Sequence, residues 1–218
     1  MLWGSSSDCI TNKQCLLSIC GQSNAVFNAA SVTSLKGGSG EQAWRLAVCV
    51  NKRSQLTFRK SSFTMNQDVQ PLTIHSNSTS VLVDQCTIQG NNITGWPYSS
   101  AVHVRAATRL TVLSSTVAAN TATGTGVGAI TAFDTAEINI HGTSFYRNAA
   151  ANGAAIHAKE QAMVTIQGSR FEGNNATARG GAIYATDQAQ VKVLPVTLRN
   201  SPGAGECLCM HMRHLQPS

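Results

Sequence analysis

The chain has 218 residues, of which 42% are hydrophobic and only 12% charged, with a formal net charge of +6. So many apolar residues and so little net charge exclude a disordered chain, and no apolar run approaches the ~18 residues of a membrane-spanning helix. Ser and Thr, 43 together, and 18 Gly fill the deficit of charge, and one core is expected at this length.

Residues 1–45 are expected to form an irregular N-terminal segment or cap. Their longest apolar stretch, Cys15-Leu16-Leu17-Ser18-Ile19-Cys20, is too short and too late for a secretory signal. That points to an intracellular chain or to a piece of a longer one. The seven cysteines are odd in number and sparse, so they define no disulfide scaffold. The sequons at Asn77, Asn92 and Asn175 are as many as chance supplies from 15 Asn among so many hydroxyl residues.

From residue 46 a repeat sets in. An apolar residue followed three places later by Asn recurs at Phe63/Asn66, Ile88/Asn91, Val117/Asn120, Phe145/Asn148 and Phe171/Asn174, with Asn spacings of 25, 29, 28 and 26. A second series (Val50, Ile74, Val104, Ile130, Ile156, Ile183) has a mean spacing of 26.6. Ile138-Asn139-Ile140, Val164-Thr165-Ile166 and Val191-Lys192-Val193 alternate with period two in the same slot of successive units. That is strand patterning. Sustained 3.6-residue periodicity is missing, as is leucine-rich spacing. A unit of about 26 residues with short strands and turns is one coil of a parallel β-helix. Ile130, Ile140, Phe145, Ile156, Ile166, Phe171, Ile183 and Val193 should then line the interior, with Glu137, Asn139, Thr165, Gln167 and Lys192 facing out.

Phe-x-x-Asn together with Gly180-Gly181-Ala182-Ile183 resembles the repeat of the chlamydial polymorphic outer-membrane proteins and related right-handed parallel β-helix proteins. Gly153-Ala154-Ala155-Ile156 and Val127-Gly128-Ala129-Ile130 are degenerate copies. The expected fold is therefore all-β: a right-handed, single-stranded, pectate-lyase-like parallel β-helix of about six coils over 46–200, followed by a tail at 201–218. The resemblance implies an extracellular or cell-surface protein, adhesive or structural in role.

Candidate sites follow from stacking. The Asn series reads as a structural ladder, each amide bonding to the next coil. Asp134, Glu160 and Asp187 lie four residues after their anchors and should stack, with Ser54, Ser78 and Thr108 in the same slot of earlier coils; stacked carboxylates could hold Ca²⁺ or act as an acid/base pair, but an ordinary turn explains them better. Beside the anchors, Asn51, His75, Arg105, Thr131, His157 and Tyr184 are expected in one exposed column, and Cys49, Thr73, His103, Ala129, Ala155 and Ala182 in another. His75, His103, Arg105, His157 and Tyr184 then form the candidate ligand-binding face. It carries no carboxylate to serve as a general acid. Arg45, Lys52, Arg53, Arg59 and Lys60 form a candidate polyanion patch, without the stacking aromatics of a nucleic-acid site.

Trp96-Pro97-Tyr98 marks a longer loop, and Cys207, Cys209, His211 and His214 match no common zinc spacing. No catalytic residue, cofactor or metal is assigned. The expected function is a non-enzymatic surface or scaffold module that binds an acidic polysaccharide or a cell-surface protein. The alternative is a carbohydrate-active or polysaccharide-binding relative of the β-helix lyases. Proline at 195 and 202 and a short tail suggest a poorly capped C-terminal end and self-association through the helix ends.

Overall fold

The computed structural model describes residues 15–37, 46–75, 79–94, 100–123, 128–199 and the strand 208–210. Among them there is no helix. The strands stack into four parallel sheets of eight, seven, seven and four strands. The first sheet runs Cys15–Ile19, Leu46–Val50, Gln70–Ile74, Val102–Val104, Ile130–Ala132, Ile156–Ala158, Ile183–Ala185 and Leu208–Met210. The second runs from Asn24–Asn28 to Gln190–Val193, and the third from Ser31–Thr33 to Thr197–Arg199. The fourth is short, from Asn92–Ile93 to Asn175–Arg179.

Residues 46–199 carry the six expected coils. Residues 15–37, expected as part of an irregular cap, instead add a coil ahead of them, with Asn24–Asn28 paired in register to Gln55–Arg59. The Ala25-Val26-Phe27 and Ser31-Val32-Thr33 runs obey the same period-two rule as the later coils, but they lack the Phe-x-x-Asn mark. The tail also gives up a strand, since Leu208–Met210 pairs with Ile183–Ala185. Residues 1–14, 200–207 and 211–218, with Cys207, His211 and His214, lie outside the described residues.

Alternation decides the core. Ile138 and Ile140 are buried while Asn139 between them is half-buried. Phe145 and Phe171 occupy one inward column and stack with centroids 4.7 Å apart. Phe58 meets Phe63 edge-on at 4.9 Å. Of the expected interior residues only Val193 is half-buried; the others are fully buried. Gln167 and Lys192 are exposed, and Glu137, Asn139 and Thr165 half-buried.

The corners turn through left-handed residues. Between the second and third sheets Lys60, Gln85, Ser114, Gly142 and Gly168 all have positive φ. The first four donate their N–H to Asp84, Leu113, His141 and Gln167 of the next coil, which offsets part of the strain by giving each backbone donor a partner. The Gly-Gly-Ala-Ile motif is steric in origin. Gly153 and Gly180 have φ of +50° and +56°, and a Cβ there would lie 2.2 and 2.3 Å from the carbonyl oxygens of Ile156 and Ile183.

One register differs from expectation. Val104 lies beside Ala132 and Ile74, whereas Ile130 lies beside Val102. The anchor series therefore slips by two residues between the coils of Val104 and Ile130. A two-residue slip keeps every side chain on its own face, so the inside/outside reading survives and the column membership does not.

Candidate functional site

The corrected register redistributes the expected ligand-binding face. Ser18, Cys49, Thr73, His103, Thr131, His157 and Tyr184 form one column of the first sheet. His75 and Arg105 sit in the corner that follows, alongside Asn51, Phe133, Lys159 and Thr186: each residue after Asn51 donates its N–H to the last strand residue of the coil before. His103, His157 and Tyr184 thus belong together, and His75 and Arg105 stand apart from them.

The column is not an open face. Thr73, His103, Thr131, His157 and Tyr184 are all buried, and only His75 is exposed. His103 Nδ1 lies 2.9 Å from Thr131 Oγ1, which also meets Ser100 Oγ at 3.1 Å. Phe133 folds between the two histidines, 5.5 Å from His103 and 6.1 Å from His157. His157 packs on Tyr184 at 5.1 Å, and the Tyr184 hydroxyl accepts from Arg179 Nη1 at 3.1 Å. Both ring nitrogens of His157 are buried with no hydrogen-bond partner among the described residues.

Electrostatics keep this column uncharged. Burial pushes His103 down to about 3, helped by Arg105 and His75 against the pull of Asp134. Burial likewise takes His157 to about 4, with Lys159 lowering and Asp187 raising it. Both imidazoles are neutral near pH 7, so neither offers a proton or a cation to an anionic sugar.

The acidic column is a corner ladder. Asp134 Oδ2 accepts from the Ala106 N–H at 2.9 Å and Glu160 Oε2 from the Asp134 N–H at 2.8 Å. Arg105 Nε adds a 3.4 Å contact to Asp134. For Asp134, burial raises the carboxyl, but the Ala106 N–H, Glu160 and Arg105 outweigh it and hold it below the usual range. The earlier-coil residue in this slot is Ala106 rather than Thr108. Ser54 and Thr108 lie two places on, buried, with hydroxyls turned back to the Asn51 and Arg105 carbonyls. No cluster of metal-ligating side chains occurs among the described residues.

The candidate polyanion patch splits. Lys52 and Arg53 occupy the corner before strand Gln55–Arg59, while Arg59 and Lys60 stand at its far end, with the strand's length of roughly 13 Å between the two groups. Arg59 also faces Asp84 at 3.7 Å. Arg45, like Trp96-Pro97-Tyr98, lies outside the described residues.

The asparagines form one continuous ladder. Asn66, Asn91, Asn120, Asn148 and Asn174 are all buried. From Asn66 onward each Nδ2 donates to the next Oδ1 at 2.8–3.0 Å, and the same Oδ1 takes the backbone N–H.

A profile of the family described as "Right handed beta helix region" matches residues 15–198. The chain belongs to the right-handed β-helix family. No curated protein and no solved structure matches it. The family boundary coincides with the first coil at Cys15, which carries the helix beyond the expected start at residue 46.

Sequence reasoning passed over one feature of this β-helix. On the outside of the third sheet, Thr116, Ser144, Tyr146, Arg170 and Glu172, floored by Phe145, line a groove of about 270 Å³. The signal was available: Tyr146 and Glu172 each follow the anchor phenylalanine by one residue, so they must stack on the outer side.

Proposed function

We propose that this right-handed β-helix is a non-enzymatic binding module of a cell-surface or secreted protein. One observation carries this reading: apart from exposed His75, the residues placed for chemistry are committed to the fold. The polar column of the first sheet holds no carboxylate, its histidines are buried and neutral, and the nearby Asp134 and Glu160 cap backbone N–H groups. A lyase or hydrolase needs a base and an acid that reach the substrate. What remains outward is a set of repetitive faces, the surface by which solenoids bind extended partners. The Phe-x-x-Asn repeat supports an adhesive role, with a polysaccharide or a cell-surface protein as partner. The Cys15–Cys49 disulfide supports an oxidising compartment.

The carbohydrate-active alternative rests on His75, which is exposed in the corner it shares with half-buried Arg105. Incubation with pectin, polygalacturonate and alginate separates the readings. No new reducing ends and no unsaturated products are expected. Turnover abolished by His75→Ala or Arg105→Ala would overturn the non-enzymatic reading.

A further inference from the structure

We infer that the corner between the first and second sheets is the contact face of a two-fold, side-by-side dimer of this chain. The inference goes beyond the binding reading and does not rest on it, because its partner is a second copy held on the flank. The corner is sorted by charge along the helix axis. With the coil of Cys15–Ile19 counted first, the second coil turns here through Lys52 and Arg53, the third through His75 and the fourth through Arg105 and Ala106. Arg109 opens the fourth coil's next strand. Arg53, His75 and Arg109 are exposed, and Lys52 and Arg105 half-buried. No carboxylate lies among them, and Ser76, Asn77 and Ser78 add no charge. The fifth, sixth and seventh coils turn through half-buried Asp134, Glu160 and Asp187, with Glu137 in register beside Arg109. Against these carboxylates this half of the corner sets Lys159 alone among the described residues, while Lys192 stands further along the second sheet. The basic half meets the acidic half at a seam closed by Arg105–Asp134 at 3.4 Å and Arg109–Glu137 at 2.7 Å.

This order selects the partner. Coils rise only ~4.8 Å each, so an extended polyanion laid along the corner would gain three coils and then run into Asp134, Glu160 and Asp187. A polycation meets the converse obstacle. A second copy turned about a two-fold axis through the seam meets neither. That rotation sets the second coil against the partner copy's seventh, the third against its sixth and the fourth against its fifth. Lys52 then faces Asp187 of the partner copy, and the Arg105–Asp134 seam lies on the axis. The same axis reverses direction across the corner, which carries Lys159 away from His75 of the partner copy. Packing two copies parallel and in register would instead set like charge on like charge, at a cost. A parallel packing staggered by three coils would leave half of each face unmatched and would propagate. The two-fold contact is self-complementary and closes at two. Its ion pairs stay near solvent and contribute little singly, so the association is weak and screened by salt.

Sedimentation equilibrium of the full chain up to about 0.5 mM tests this. A monomer–dimer equilibrium with nothing larger is expected at about 0.05 M NaCl, and its dissociation constant should rise about tenfold or more at about 0.5 M. Lys52→Glu and Asp187→Lys should each weaken the dimer about tenfold or more, with circular dichroism confirming that each variant folds. The chain carrying both substitutions should recover most of the affinity. An equimolar mixture of the two single variants should associate more tightly than either alone, because both contacts of the mixed dimer pair opposite charges. A monomer at low salt, a dimer indifferent to salt and to both substitutions, or growth beyond two copies would each overturn the inference. So would a double variant or a mixture no tighter than the single variants. Polygalacturonate held on this corner by a chain that stays monomeric would overturn it in favour of a polyanion.

Discussion

At the scale of single residues, stability is concentrated in two buried ladders that run parallel to the helix axis. Asn120 illustrates the first. Its Oδ1 accepts from the backbone and side chain of Asn91, and its Nδ2 donates to Ile88 and Asn148. Alanine there would orphan two donors in a region with no access to water. Each unsatisfied buried group costs about 1–3 kcal/mol, so Asn120→Ala should lose about 2–6 kcal/mol in urea unfolding. The second ladder runs Ser61, Cys86, Ser115, Thr143 and Ser169, each side chain meeting the N–H of the coil before. Cys86 stands where its neighbours carry hydroxyls, and burial pushes its thiol up. Cys86→Ser supplies the group its neighbours use and should change stability by less than about 1 kcal/mol. Equal losses from the two substitutions would show that the ladders are not the source of the stability.

At the scale of the coil, the first one is held by more than stacking. Its strand Asn24–Asn28 is only half-buried on its inward side, unlike the next strand, Gln55–Arg59. The Cys15–Cys49 disulfide ties it to the second coil across a separation of 34 residues. Chain entropy assigns such a loop roughly 3–4 kcal/mol. Cys49→Ala, or dithiothreitol, should therefore lower the unfolding midpoint, and an unchanged midpoint would mean the crosslink is idle. The cysteine count could not reveal this pairing. Spacing fixes no connectivity, and the two cysteines meet only because the strands Cys15–Ile19 and Leu46–Val50 are neighbours in the first sheet.

The same register explains what else was legible. Period-two runs and recurrent Asn predict the strands, the corners and the ladder, because those depend on which face a residue takes. The candidate site depends on which residue stacks on which, and there the anchor series misleads. Large residues end the first-sheet strand at Val50, Ile74 and Val104, but begin it at Ile130, Ile156 and Ile183, where alanines follow at 132, 158 and 185. Apolar pattern alone cannot distinguish two alignments that differ by one pleat. The anchor series therefore sets His157 and Tyr184 in one column with Arg105, whereas the register sets them in the column of His103.

Across the whole molecule, the two buried histidines couple that column to pH. Both have folded values below the ordinary value near 6.5, about 3 for His103 and about 4 for His157, chiefly through burial. Unfolded imidazoles take up protons below pH 6.5 while the folded ones do not. The unfolded state therefore binds more protons, and stability is complete above about pH 6.5 and lost as pH falls toward 4 and then 3. At pH 5 each histidine should cost about 2 kcal/mol relative to pH 7. The depressed carboxyls of Asp134 and Glu137 titrate lower and add nothing in this window. The two histidines sit in coils separated only by the coil of Thr131, so charging them strains three adjacent units of a quasi-one-dimensional stack. Urea unfolding at pH 7 and pH 5 should differ by roughly 4 kcal/mol in the native chain. His103→Gln with His157→Gln should flatten that difference whatever it costs at pH 7. A native chain equally stable at both pH values would mean that the column opens to water, and that His157 is reached by solvent rather than sealed beside Tyr184.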